Sequence, residues 1–267
     1  MKRFTKYASM VLLGATLVGC ATSAITGRKY LKLVDSQTIN NQAALAYKDF
    51  LSKNSSKVET GTAAATQVKR VGNRIAAATN EYLRQIGAAD KFSFNWEFNL
   101  IESDQVNAWC MPGGKVAVYT GILPIAKNDA GLATVMGHEI AHAIEEHSVS
   151  QVSNAMAAQF GAQLLNAAGT ISNSRYTGLF NQIYGIGYQV GSLKFSRNDE
   201  LAADKAGLIL MAMAGYNPEE AVSFWERMAQ GKKGSPPEWL STHPSDARRI
   251  SQLQAMVPEA MKYYKKQ

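Results

Sequence analysis

The sequence predicts a mainly α-helical domain carrying a small β-sheet. Apolar residues return every three or four positions in several segments, as at Val68, Val71 and Ile75 and at Leu132, Val135 and Met136, the spacing of one helix face. One stretch departs from that period. Phe92, Phe94, Trp96, Phe98 and Leu100 alternate with polar residues, as in a half-buried strand. Soon after it, residues 107–111 and 115–119 read as two short strands around Pro112-Gly113-Gly114.

Taken in order, the chain opens on Lys2, Arg3 and Lys6, followed by a mainly apolar run from Tyr7 to Val18. That run is too short to span a bilayer and has the layout of a secretory signal. It ends in Leu17-Val18-Gly19-Cys20, which resembles a bacterial lipobox. The resemblance implies cleavage before Cys20 and lipid attachment to its thiol, hence a membrane link through an N-terminal anchor. Ala21 stands where an Asp would signal inner-membrane retention. The expected location is therefore the bacterial outer membrane, facing the periplasm. Residues 1–19 are then signal peptide, 20–33 a lipidated tether, and 34–267 a single domain long enough for a sizeable core.

Helices are expected over residues 35–53 and 60–88. The second carries Val68, Val71, Ile75, Ala78 and Leu83 along one face. After the strands, a helix begins at Asn128 or Asp129 and carries Leu132, Val135, Met136, Ile140 and Ile144 at helical spacing. Residues 148–193 are rich in Ala, Gln, Asn and Gly, with Arg175 as the lone charge. They lack an unbroken apolar run of spanning length. One or two buried or cleft-lining helices with a flexible middle near 169–178 are expected there. Further helices are expected over 197–214, capped by Asn198 or Asp199, over 218–230, and from about 245 to 256.

Composition narrows the partners. The net charge is +7, but basic and acidic residues are interspersed with no long basic block, so nucleic acid is not indicated. The basic, aromatic tail around Lys262-Tyr263-Tyr264 reads as a solvated helix end. There are two cysteines. With Cys20 lipidated, Cys110 has no partner for an intrachain disulfide and is expected to be a small buried hydrophobe.

The most informative stretch is His138-Glu139-Ile140-Ala141-His142. Two imidazoles four residues apart on a helix lie nearly one above the other, so both can reach a single Zn²⁺. Glu139 is turned about 100° away and can reach a water without ligating. This H-E-x-x-H spacing points to a zinc peptidase. A catalytic zinc needs a third protein ligand. Candidates downstream are Glu145, Glu146, His147, Asp199, Glu200, Asp204 and His243. Glu145 and Glu146 face away from the His138/His142 edge or lie beyond it. On a continuous helix His147 falls about 180° from His138, so a packing or surface role is expected. Glu200 and Asp204, four apart, share a face. One could ligate while the other orients a ligand ring.

Three more segments carry a family resemblance. Ser196-Arg197-Asn198-Asp199-Glu200-Leu201-Ala202-Ala203-Asp204 resembles the "SR…E…AD" signature of the HtpX and type I CAAX prenyl protease family. Asn107-Ala108-Trp109-Cys110-Met111-Pro112-Gly113-Gly114 resembles its "NAxxxPGG" strand and turn, and Thr242-His243-Pro244 with Arg249-Ile250 its "THP…RI" element. The lipobox points to a soluble periplasmic branch, related to the Oma-type proteases. The resemblance implies a gluzincin: an active-site helix, a short edge-strand sheet and a second ligand-bearing helix. It implies His138, His142 and Glu200 as ligands of one Zn²⁺, Glu139 as general base, and Asp204 behind a ligand. His243 would stabilise the oxyanion or fill the open coordination place. Asn107 and Ala108 would bind substrate along an edge strand. The expected activity is cleavage of misfolded or immature envelope proteins, as peptides or unfolded chains. The other reading is an assembly factor with a largely closed zinc site, working with outer-membrane assembly proteins.

Overall fold

The computed structural model describes residues 19–166, 195–230, 243 and 247–265. The expected signal peptide up to residue 18, the middle of 148–193 and the loop at 231–237 lie outside the described residues.

The described chain is mostly helical with two small sheets. Strands β1 (Cys20–Thr22) and β2 (Lys29–Leu31) pair antiparallel as a hairpin. Helix α1 (Ser36–Lys53) starts where the Asp35 side chain accepts from the Thr38 N–H. After β3 (Val58–Glu59) comes α2 (Ala63–Gln85), capped by Thr62. Its buried stripe includes all five of the apolar positions expected to face inward. Strands β4 (Glu97–Ile101), β5 (Ala108–Met111) and β6 (Lys115–Tyr119) then join β3 in a sheet of order β3-β4-β6-β5. β4 runs parallel to β6, and β3 and β5 are the edge strands, each antiparallel to its neighbour. Gly113 and Gly114, at φ +79° and +87°, make the turn between β5 and β6.

A short turn of helix, α3 (Leu123–Ala126), leads to α4 (Asp129–Ile144), capped by Asn128. From Gly131 to Ile144 every residue of α4 is buried. A helix buried all round belongs in the middle of the fold, and α4 lies there, against α2, β5 and α6 (Arg197–Met213). α5 (His147–Asn166) follows α4 after a break; α7 (Glu219–Gln230) and α8 (Ala247–Met261) cover the other side. None of the described helices is long and apolar enough to cross a membrane.

The sheet is apolar on both faces. Leu100, Ala108, Val116 and Val118 join the core formed with α2 and α4. The alternate residues Ile101, Trp109, Met111, Ala117 and Tyr119 join a second core with α1 and α5. Trp109 meets Tyr47 and Phe50 edge-on, with ring centroids 5.7 and 5.0 Å apart.

Several expectations change. Residues 92–96 are extended but lie outside the ladder, which starts at Glu97. α6 is capped by Ser196, not Asn198 or Asp199. Asp199 instead bonds back to the Ser196 N–H, completing a capping box. The stretch 20–33, expected as a loose tether, is docked. Beyond the hairpin, Thr26 Oγ1 donates to Glu145 at 2.7 Å, and Tyr30 and Ser36 donate to Glu146. Lys32 Nζ also sits 2.9 Å from Glu146. The buried carboxylates just past α4 require donors, and this segment supplies them. Sequence periodicity carries no trace of such a pairing.

α4 and α6 approach closely because glycine faces glycine. A Cβ on Gly207 would come within 2.9 Å of the His138 N and 3.0 Å of the Gly137 carbonyl carbon. These are backbone atoms that cannot rotate aside. Gly207→Ala is therefore expected to lower stability by about 1–3 kcal/mol through overpacking, read as a lower midpoint in urea unfolding.

Candidate metal centre

Two helices distant in sequence build the centre. α4 supplies His138, Glu139 and His142; α6 supplies Glu200 and Asp204. His243 comes from beyond α7 and Arg249 from α8. All seven side chains are buried.

One ligand-capable atom from each of His138, His142, Glu200 and His243 lies within 4.8 Å of the others. The spacings are finer than that limit. His138 Nε2 stands 3.1 Å from His142 Nε2 and 3.3 Å from His243 Nδ1. Glu200 carboxylate oxygens stand 3.5 Å from His138 Nε2, 3.4 Å from His142 Nε2 and 2.9 Å from His243 Nδ1. Donors held about 2.0–2.1 Å from a tetrahedral Zn²⁺ would be about 3.3 Å apart. The cluster has that size.

Its polarity also fits a cation. His138 Nδ1 lies 3.0 Å from Asp204 Oδ1, so that nitrogen carries a hydrogen and Nε2 is the one left to present a lone pair to a bound cation. Glu139, Glu200 and Asp204 bring three buried carboxylates, against the single guanidinium of Arg249. The excess of buried negative charge favours a bound cation. Glu200 Oε2 is buried without a hydrogen bond of acceptable direction, although Arg249 Nη1 is 2.8 Å away. The donor set, nitrogen with carboxylate oxygen, suits zinc.

The same charges shift the titrations. Burial pulls the His138 pKa down, but hydrogen bonds to Asp204 and Glu200 outweigh it and push it up to about 9. Burial would raise the Glu200 carboxyl; the surrounding His243, His138 and His142 hold it far below the usual carboxylate range. Asp204 is likewise lowered, burial being outweighed by Arg249 and His138. His142 and His243 are lowered, mainly by burial.

Glu139 points elsewhere. Its Oε1 is 3.5 Å from His243 Nε2, and its charge raises the Cys110 thiol on β5 further above what burial does. Ala108 lies on that strand and Asn107 just before it. The Ala108 N–H is occupied, donating to Asn107 Oδ1 at 2.9 Å. Cys20, the expected lipid site, is exposed.

Three side chains to which the sequence assigns no part in the metal site touch the centre. Arg249 forms two hydrogen bonds to Asp204, at 2.7 and 2.8 Å, and stacks 3.6 Å from the Trp225 ring centre. The clue was available: Glu200 and Asp204 together on a helix face that also carries buried apolar residues demand a cation. Phe195 stacks on His142 with centroids 3.9 Å apart. His147 Nδ1 is 2.7 Å from His142 Nδ1. His147 is buried, as its expected packing role allows, but the helical projection misplaced it. α4 ends at Ile144, and Glu146 takes φ +52° before α5 starts.

Comparison with known proteins agrees with this geometry. The pattern of peptidase family M48 matches residues 63–257, the stretch that contains the whole cluster. The chain is 32% identical over 260 residues to the mitochondrial metalloendopeptidase OMA1 of Schizosaccharomyces pombe, spanning 93% of this chain and 72% of that protein. It is 33% identical over 175 residues to the mitochondrial metalloendopeptidase OMA1 of Homo sapiens, covering 63% of this chain and 33% of the human protein. It is 29% identical over 195 residues to the beta-barrel assembly-enhancing protease of Escherichia coli O157:H7, covering 67% of this chain and 39% of that protein. The chain therefore spans well under half of the last two relatives.

Proposed function

This chain belongs to peptidase family M48 and is a metalloendopeptidase, and from that premise we propose that it cleaves misfolded or immature proteins in a bacterial cell envelope. The carrying observation is the buried cluster of His138, His142, Glu200 and His243, with Glu139 beside it.

We assign His138, His142 and Glu200 as ligands of one Zn²⁺. When bound, the ion supplies polarisation of the scissile carbonyl and a more acidic water. The protein's own groups do the rest. Glu139 takes a proton from the attacking water and returns it to the leaving amine. Asp204 fixes the His138 tautomer, and Arg249 holds both Asp204 and one oxygen of Glu200. His243 donates to the developing oxyanion. An extended peptide pairs with the free edge of β5. For Ala108 to join, the Asn107 amide swings away from its N–H.

Location belongs to the same proposal. The lipobox-like Leu17-Val18-Gly19-Cys20 and the exposed Cys20 support a lipid anchor on the outer membrane, facing the periplasm. Cys20→Ser is expected to move the protein from the membrane fraction to the soluble envelope fraction. Unchanged sedimentation with membranes would remove the anchor from the proposal. Cleavage of a reduced, unfolded protein should stop on chelation and return with zinc. Cleavage that survives exhaustive chelation would overturn the catalytic assignment.

One observation favours a second reading. His243 Nδ1 lies 2.9 Å from Glu200 and 3.3 Å from His138, close enough to act as a fourth ligand. A site closed by four protein ligands has no place for water. The protein would then serve as an assembly factor, alongside outer-membrane assembly proteins. The readings separate on whether Glu139→Gln rescues a deletion strain: only the assembly reading expects rescue.

A further inference from the structure

His138 and His142 are backed differently. Behind His138 stands a carboxylate, Asp204. Behind His142 stands another imidazole, His147, with its Nδ1 2.7 Å from His142 Nδ1. Beyond it, His147 Nε2 faces Asp199 Oδ1 at 3.5 Å, a charge–dipole contact longer than a hydrogen bond. Asp199 Oδ1 in turn is paired with Arg28 Nη1 at 3.1 Å. We propose that His147, Asp199 and Arg28 form a positioning line that fixes the ring of His142, so that the docked N-terminal segment helps set the metal centre.

The hydrogens along this line are determined by elimination. His142 Nε2 lies in the cluster, 3.1 Å from His138 Nε2. If it offers a lone pair there, the hydrogen of the neutral ring is on Nδ1. His147 Nδ1 must then accept, which puts the His147 hydrogen on Nε2. That N–H faces a carboxylate whose charge is balanced by Arg28. The second Asp199 oxygen is committed to the Ser196 N–H and hydroxyl, so the carboxylate cannot turn freely. Phe195 closes the line sideways, stacked on His142 and 5.8 Å from the His147 ring centre.

The backbone is bent to make this contact. On an unbroken helix, His147 would point about 140° away from His142. The break at Glu146, with φ +52°, returns it. A non-glycine residue holds that conformation only when its surroundings enforce it. Here the Glu146 carboxylate is gripped by Tyr30, Lys32 and Ser36. Arg28 also bonds the Glu145 carbonyl at 3.2 Å. One N-terminal segment therefore holds the bend and ends the line.

The inference rests on His142 being a ligand, and the test separates the two. Zinc affinity is measured by chelator competition, and Co²⁺ loaded in place of zinc reports ligand geometry by its visible spectrum. His147→Ala is expected to weaken zinc binding by about 10–100-fold and to change the Co²⁺ spectrum, with far-UV circular dichroism retained. His147→Asn, whose Oδ1 can accept where Nδ1 did, should recover most of that loss. Arg28→Met should weaken binding by roughly tenfold. Combined with His147→Ala, it should add little further, because both act through one line. Arg28→Met keeps the test open should His147→Ala fail to fold. Wild-type affinity and spectrum in either single variant would overturn the positioning line, provided His142→Ala loses the metal. Full metal retention in His142→Ala would overturn the ligand assignment and the line with it.

Discussion

Glu139→Gln is expected to keep its full complement of zinc and to lose peptide cleavage by about 10²–10⁴-fold in kcat. The geometry separates this glutamate from the metal donors. The group of ligand-capable atoms contains His138, His142, Glu200 and His243, without Glu139. Its carboxylate instead faces His243 Nε2, at 3.5 Å. A glutamine fills the same volume and can still hydrogen-bond, so packing in this buried position survives. What disappears is a base able to take the proton. Metal analysis and single-turnover cleavage of an unfolded protein, measured on the same preparation, check both halves. Zinc loss in this variant would place Glu139 among the ligands. Retained cleavage would remove it as the base.

The parts of the fold legible in the sequence are those written in short-range patterns. The cap Asn128, the apolar stripe of α2 and the glycine turn after Met111 each act over a few residues. So does the four-residue spacing of His138 and His142. What the pattern could not carry is contact between distant segments. β3 and the parallel pairing of β4 with β6 depend on which strands meet, and period alone is silent on that. The N-terminal segment looked like a tether because it is polar and short. Its partners, Glu145 and Glu146, are buried and lie more than a hundred positions away in the chain. His147 was misplaced for a related reason. Its angle was projected along a straight helix, and the break at Glu146 is enforced by residues more than a hundred positions earlier. Arg249 was visible within a motif, yet its role follows from two carboxylates that only folding brings to it.

Glu200→Gln should give the opposite result to Glu139→Gln in zinc binding, although the two glutamates are equally deep, at 5% and 3% exposure. The Glu200 carboxylate lies within 3.5 Å of all three imidazoles of the cluster and 2.8 Å from Arg249. Replacing it with an amide removes one negative charge from a site that must hold a dication, and one good donor atom. Changing residues that merely orient ligands costs 10–100-fold in metal affinity. Losing a ligand should therefore cost more than about 100-fold. Because metal binds only the folded chain, that loss also appears as stability. A hundredfold weaker affinity removes about 2.7 kcal/mol of metal-dependent stabilisation at saturating zinc. The zinc-induced rise in Tm should accordingly shrink in Glu200→Gln and persist in Glu139→Gln. Arg249 explains why the apo variant should still fold. Its guanidinium keeps two hydrogen bonds to Asp204 and its stack on Trp225, so it is not left as an isolated buried charge. If Glu200→Gln binds zinc as tightly as the parent protein, the centre is not held jointly by α4 and α6, and the assignment of its ligands fails.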